Sequence, residues 1–278
     1  MTLPQEATEP LDPAEVLART AWSALGHAYG TAEGVPQILL DLLGTDLRVR
    51  SKALSRLHHV VHHQNTLYTA TAPAALYVAG ILGDAQTLEV VEKEPRAFPG
   101  PMRAELLGWL DSVANAADDE TAATMRRFGF PPEEYPPFVE VCRIRPQLFH
   151  AVSRFLDDLD LDVRAAAVSA CIPLLDDPRL IHHRDALAPL LRDSLAASAL
   201  WQYQERAIDA LESWGQDTTG LEVRGERYAF CDAEHHPQPW VVESQNGYDT
   251  GPPSEGFPVA HHPTGLRLGF RLVRLRPA

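Results

Sequence analysis

Four of the twelve histidines fall within six residues: His58, His59, His62 and His63. On a helix, residues four apart are neighbours, so His58 would share a face with His62 and His59 with His63. With Leu54, Leu57 and Val61 taken as the buried stripe, His59 and His63 turn to the opposite face. Two imidazoles one turn apart can hold a metal ion only with a third ligand and an acceptor for the outer ring N–H. No His-Glu-x-x-His is present. His59 and His63 are therefore weak metal candidates, and the expectation is no metal and no cofactor. A second grouping, His27, Tyr29, His63 and Tyr68, would converge where the first helices meet. It reads as a buried polar brace, since buried polar groups usually satisfy one another, or as the floor of a small pocket.

The remaining clusters carry less. His235-His236 and His261-His262 lie near Cys231 and Asp232 in Pro- and Gly-rich sequence, and have low specificity for metal. The run Asp157 to Asp162 has the acid density of a calcium loop. Counted from Asp158, however, Val163 stands at the sixth position and Ser169 at the twelfth, where that loop needs Gly and Glu. It reads better as a helix cap. There is no Gly-x-Gly-x-x-Gly, no phosphate loop and no Gly-x-Ser-x-Gly. No residue is assigned as catalytic.

The elements that would position these side chains announce themselves through a repeated phrase. Asp46-Leu47-Arg48-Val49-Arg50 precedes Ala53, Leu54 and Leu57; Asp160-Leu161-Asp162-Val163-Arg164 precedes Ala167, Val168 and Cys171. An Asp can cap a helix start, the Arg four residues on can brace the turn, and the Ala permits close helix approach. Asp46, Arg50, Asp160 and Arg164 are thus expected to seal repeats, each Arg pairing with its own Asp or that of a neighbouring repeat. The phrase is the second-helix pattern of a HEAT-type repeat, which predicts an all-α, HEAT-like α-solenoid of antiparallel helix pairs. Residues 1–12 read as a flexible leader and 13–217 as the solenoid. Helices are expected from Asp12 to about Ala28, over 35–43, from Asp46, over 71–82, about 84–94, 101–116, 121–128, through a Pro-punctuated stretch 133–156, from Asp160, and over about 185–197 and 201–214. Residues 218–278 read as a small β-rich cap, with strands at 227–230, 240–243 and 266–272.

The segment Ala21-Trp22 to Gly26-His27-Ala28-Tyr29-Gly30, then Val35-Pro36, then His63-Gln64-Asn65-Thr66-Leu67-Tyr68-Thr69-Ala70-Thr71-Ala72-Pro73 resembles a family of bacterial HEAT-repeat proteins common in actinobacteria. Its members carry a similar Trp…His-Ala-Tyr-Gly…Val-Pro opening, and Asn65 stands where the family has a glycine. The resemblance covers the first third of the chain. It implies an α-solenoid and little chemistry, the family being largely of unassigned function.

A net charge of −14 over 278 residues repels phosphate backbones and argues against nucleic acid. The last fifteen residues depart from this, with four arginines and no acid. Cys142 and Cys171 fall in helical patterns and, with no CxxC spacing, read as buried thiols. The acidic opening is no signal peptide and no apolar run is long enough to span a membrane, so a cytoplasmic location is expected. The leading expectation is a non-enzymatic solenoid, an immunity protein or scaffold, gripping a basic protein partner. The alternative is an enzyme or small-molecule binder of a biosynthetic pathway, with its pocket near His27, Tyr29, His63 and Tyr68.

Overall fold

Asp12 caps the first helix, its carboxylate accepting from the Ala14 N–H at 2.9 Å, with Pro13 in the first turn. The computed structural model describes residues 12–91, 100–197 and 201–223, and these are mostly helical. Helix α1 (Pro13–Arg19) ends well before the expected Ala28. The Thr20 N–H and hydroxyl both bond the Val16 carbonyl, and the Trp22 indole N–H takes the Leu17 carbonyl that a further turn would need. A two-stranded hairpin follows, β1 (Gly26–His27) antiparallel to β2 (Gly30–Thr31). Its turn uses Gly30 at φ 141°, open to glycine and strained for other residues. Then come α2 (Val35–Asp41) and α3 (Leu47–Arg56), the latter capped by Asp46 through the Arg48 N–H.

Helix α3 does not simply continue. Residues Leu57–Val61 form a π-turn, and His62, at φ −143° and ψ 61°, leaves the helix altogether. The wider turn rotates the register, which undoes the two four-residue histidine pairings. Leu54, Leu57 and Val61 are buried as expected, whereas Leu47 is exposed.

The central helices are α4 (Thr71–Ile81), α5 (Met102–Asn115), α6 (Asp119–Arg127), α7 (Pro136–Ser153) and α8 (Leu161–Leu174); α9 (Arg184–Ala197) and α10 (Trp201–Ser213) complete the described chain. Buried residues occur around nearly the whole circumference of α4 and α5, marking helices enclosed by others. Helix α4 packs mainly on α7, and α5 on α8. Helix α1 lies against α4, α2 against α3, α7 against α8, and α9 and α10 against each other and α8. One continuous core runs through them, with Trp109, Leu106 and Leu107 fully enclosed. Of the helix expected over about 84–94, the described part, to residue 91, holds only a 3₁₀ turn, Ala85–Leu88, capped by Asp84; Glu89, at ψ 143°, is already extended. The Pro-punctuated stretch is one long helix, α7, which continues through Pro146.

Arginines join the turns to one another. Arg50 is buried and donates to the Gln86 carbonyl (2.9 Å) and the Glu89 carboxylate (2.7 Å), neither of them the aspartate expected. Arg164 reaches the Asp158 carbonyl with two N–H groups, at 2.9 and 2.7 Å, again leaving its capping Asp160 alone. Arg103 bonds the Asp84 carbonyl, Arg145 the Ala117 carbonyl and Arg184 the Leu175 carbonyl. Guanidinium serves here because helix ends and turns leave carbonyls without intrahelical partners. Its planar fork bonds two acceptors at once while its stem packs in the core. The aspartates stay at the helix starts as caps: Asp160 accepts from the Asp162 and Val163 N–H groups at 2.9 and 3.1 Å.

The strands expected at 227–230, 240–243 and 266–272, Cys231, and the histidine pairs 235–236 and 261–262 lie outside the described residues, as does the leader to residue 11. Among the described residues no helix is long and apolar enough to cross a membrane.

Candidate functional site

The hairpin and the link between α3 and α4 are stitched together by backbone. The Gly26 N–H donates to the Thr69 hydroxyl at 2.7 Å, the Ala70 N–H to the Gly26 carbonyl at 3.1 Å, and the Ala28 N–H to the Val60 carbonyl at 3.1 Å. This seam brings the four sequence candidates together. Tyr29 lies 5.6 Å from His63 and 6.5 Å from His27 between ring centroids. The Tyr29 N–H donates to His27 Nδ1 at 3.0 Å, so neutral His27 carries its proton on Nε2. Burial, aided by the nearby Arg56 charge, holds the His27 pKa below the usual imidazole range. Burial also raises the Tyr68 pKa; the Thr66 hydroxyl opposes this and Tyr29 adds to it. Tyr135, which the sequence reading missed, joins from the start of α7 and donates its hydroxyl to the Leu67 carbonyl. Burial and then Tyr68 raise its pKa.

This cluster is a surface and not a sealed brace. Tyr29 is 68% exposed, and His27, His63, Tyr68 and Tyr135 are each partly covered. It presents phenol and imidazole groups from three segments side by side, an interface-like composition. His59, exposed, instead faces the Ser55 carbonyl through Nδ1 at 2.7 Å, away from any pairing with His63. Among the described residues no three His, Cys, Asp or Glu side chains are placed to hold a metal ion.

The buried brace exists one residue earlier, at His62. Its Nδ1 is 3.1 Å from the Thr66 carbonyl and its Nε2 3.0 Å from the Ser112 hydroxyl of α5, and its ring meets Trp109 edge-on. Burial lowers its pKa to about 4, the Thr66 hydrogen bond opposing. A neutral imidazole has one N–H. A carbonyl only accepts, so the proton sits on Nδ1 and Nε2 accepts from Ser112. The Asn65 amide, 3.2 Å from the same hydroxyl, completes the chain when its NH₂ faces Oγ. Gln64 and Asn65 are held at φ 49° and 57°, the left-handed region that non-glycine residues rarely enter. Asn is among the side chains that tolerate it best. His62 and Asn65 thereby fix the loop that presents His63 and Tyr68.

A second interior polar group links three helices. Asp111 of α5 accepts from Ser169 of α8 at 3.1 Å and from Arg206 of α10. Its spacing in α5 gave no sequence signal, because Asp111 sits among apolar residues of a helix enclosed on all sides.

No protein-family model matches the chain, and neither a curated protein nor a solved structure shows significant similarity to it.

Proposed function

We propose that the chain is a non-enzymatic protein-binding scaffold: a HEAT-like α-solenoid that grips a basic partner, as an immunity protein or assembly platform does. The observation that carries this is the helix pairing. Helices α4 and α5 match α7 and α8 like with like, and arginines tie one turn to the next. Stacked pairs of this kind present long, rigid edges whose use is contact. The acidic balance of the chain favours basic partners and fast, salt-sensitive association. The test is recovery of a partner from native cytoplasm at low and high salt. A basic protein retained at low salt and lost at high salt supports the reading; recovery of no protein refutes it.

A second reading is favoured by the convergence of His27, Tyr29, His63 and Tyr68 with Tyr135. It makes this cluster the seat of a small molecule, in a binder or enzyme of a biosynthetic pathway. Loss of a bound metabolite in a Tyr29→Ala, His63→Ala variant would support it.

A further inference from the structure

We infer that the edge formed by the turns before α3, after α4 and before α8 is the seat of a basic amphipathic segment of the partner, anchored in a depression between α1, α2 and α4. This rests on the protein-binding reading and names the contact.

The depression holds about 380 Å³. Leu17, Leu40, Leu43, Tyr77 and Ile81 make it apolar, and Gly80 lies in its wall. A glycine inside a helix costs about 1 kcal/mol against alanine, so its place in α4 has a use if the space is to be filled by another molecule. Two carboxylates, Asp12 and Asp84, also line it, and among the described residues no Lys or Arg does. Each carboxylate spares one oxygen for its helix cap, to the Ala14 and the Gln86 N–H.

From Asp84 and from the end of α2 the edge continues. Arg50 fastens the start of α3 to residues 86–89, and Arg103 fastens the Asp84 carbonyl to the turn holding Asp158. Along these joined turns Leu47, Val49, Leu88, Val90, Leu159 and Leu161 are exposed, Leu159 at 94%. Acids alternate with them in the chain: Asp46 beside Leu47, Glu89 between Leu88 and Val90, Asp160 between Leu159 and Leu161. Among the described residues the arginines of these turns are mostly committed: Arg50 and Arg103 are buried, Arg164 is held by a carbonyl, and Arg48 stands exposed.

Six exposed aliphatic side chains gathered on turns that arginines tie together mark a surface that meets a partner. Interspersed acids repel a nucleic acid or an anionic membrane. Both features match one occupant, a segment in which aliphatic and Lys or Arg residues alternate, its aliphatic side chains in the depression and along the row and its cations on Asp12, Asp84 and the intervening acids.

The probe is a fluorescent octapeptide of alternating Leu and Arg, titrated into the full chain by anisotropy. The expected result is salt-sensitive binding, weakened at least about tenfold by Gly80→Leu, which fills the depression. Gly80→Ala, which adds one methyl at a helix-favouring position, weakens it to a lesser degree and covers the case in which Gly80→Leu fails to fold. Asp12→Asn with Asp84→Asn keeps both caps, removes both charges, and lowers affinity at low salt only. Wild-type affinity in folded Gly80→Leu, equal binding of a Ser-Arg octapeptide, or no binding by the full chain overturns the inference. None of these outcomes touches the recovery of a native partner, on which the broader reading stands or falls.

Discussion

Mild acid should loosen this protein through His62. The folded imidazole has its pKa lowered to about 4 from 6.5 by burial. Above pH 6.5 both folded and unfolded chains hold it neutral and it contributes nothing to pH dependence. As pH falls below 6.5 the unfolded chain takes the proton first, so stability declines, and the decline levels off below pH 4. Two and a half pKa units at 1.36 kcal/mol each give a total loss of about 3 kcal/mol, of which about 2 kcal/mol falls between pH 7 and pH 5. For a chain of this size that lowers the melting temperature by roughly 4–8 °C. The assay is urea unfolding at steps from pH 8 to pH 5, for the wild type and for His62→Gln, a neutral side chain that can still donate to Thr66 and accept from Ser112. Subtracting one curve from the other removes the carboxylates common to both. Among them Asp177, its pKa lowered despite its burial by hydrogen bonds from Arg179, destabilises further in acid, while Asp162 and Asp176, raised by burial, act in the opposite sense. A difference curve flat over this range would refute the burial of His62 in its hydrogen-bonded slot.

Other expectations follow from the same contacts. Arg50→Ala, which strips a buried guanidinium from two acceptors, should cost about 2–4 kcal/mol, and Arg164→Ala, whose two N–H groups share one carbonyl, about 1 kcal/mol; chemical denaturation of both variants checks the order. Asp111→Ala should cost about 3–5 kcal/mol by removing the carboxylate that Arg206 meets in the interior, and a cost below 1 kcal/mol would mean that the contact is solvated. Gly100→Ala should destabilise by about 1–3 kcal/mol, since φ is 116° there and a Cβ would stand 2.8 Å from the Asp162 carboxylate. In a Cys231→Ser background, Cys171 should react with a thiol reagent only on unfolding and Cys142 sooner, because Cys171 is enclosed and Cys142 half-buried.

What the sequence made legible was periodic or local. The Asp caps at 12, 46 and 160 follow from side-chain chemistry within three residues, and the helices over 71–81, 102–115 and 161–174 follow from apolar spacing. The convergence of His27, Tyr29, His63 and Tyr68 was also reachable, because each adjoins a turn signal. What failed were places where a long-range partner overrides local preference. Helix α1 stops early where the Trp22 indole N–H, from beyond the helix, takes the Leu17 carbonyl within it. The histidine run looked like a regular helix face because nothing in Leu57–Val61 signals a π-turn. That turn is stabilised from α5, where Ser112 receives the buried imidazole.

The repeated Asp…Val-Arg phrase shows why spacing located the important residues but misassigned their bonds. Within one helix the Arg and Asp at four-residue spacing are near enough to pair, and in isolation an exposed pair of this kind gains a few tenths of a kcal/mol. In the folded chain the Asp is already engaged by helix N–H groups, while a turn carbonyl has two lone pairs to offer: that of Gln86 accepts from the Glu89 N–H at 3.3 Å and keeps a second for Arg50. A covered guanidinium N–H left without an acceptor costs about 1–3 kcal/mol, several times the exposed pair's worth. The guanidinium therefore goes to the carbonyl: Gln86 for Arg50, Asp158 for Arg164. The phrase thus marks two separate jobs, a cap and a tie. The tie has a functional side, because the turns that Arg50 and Arg103 hold together are those that carry the exposed Leu47, Leu88 and Leu159. A partner seated across them would meet a surface already rigid, and would lose little of its binding energy to ordering it.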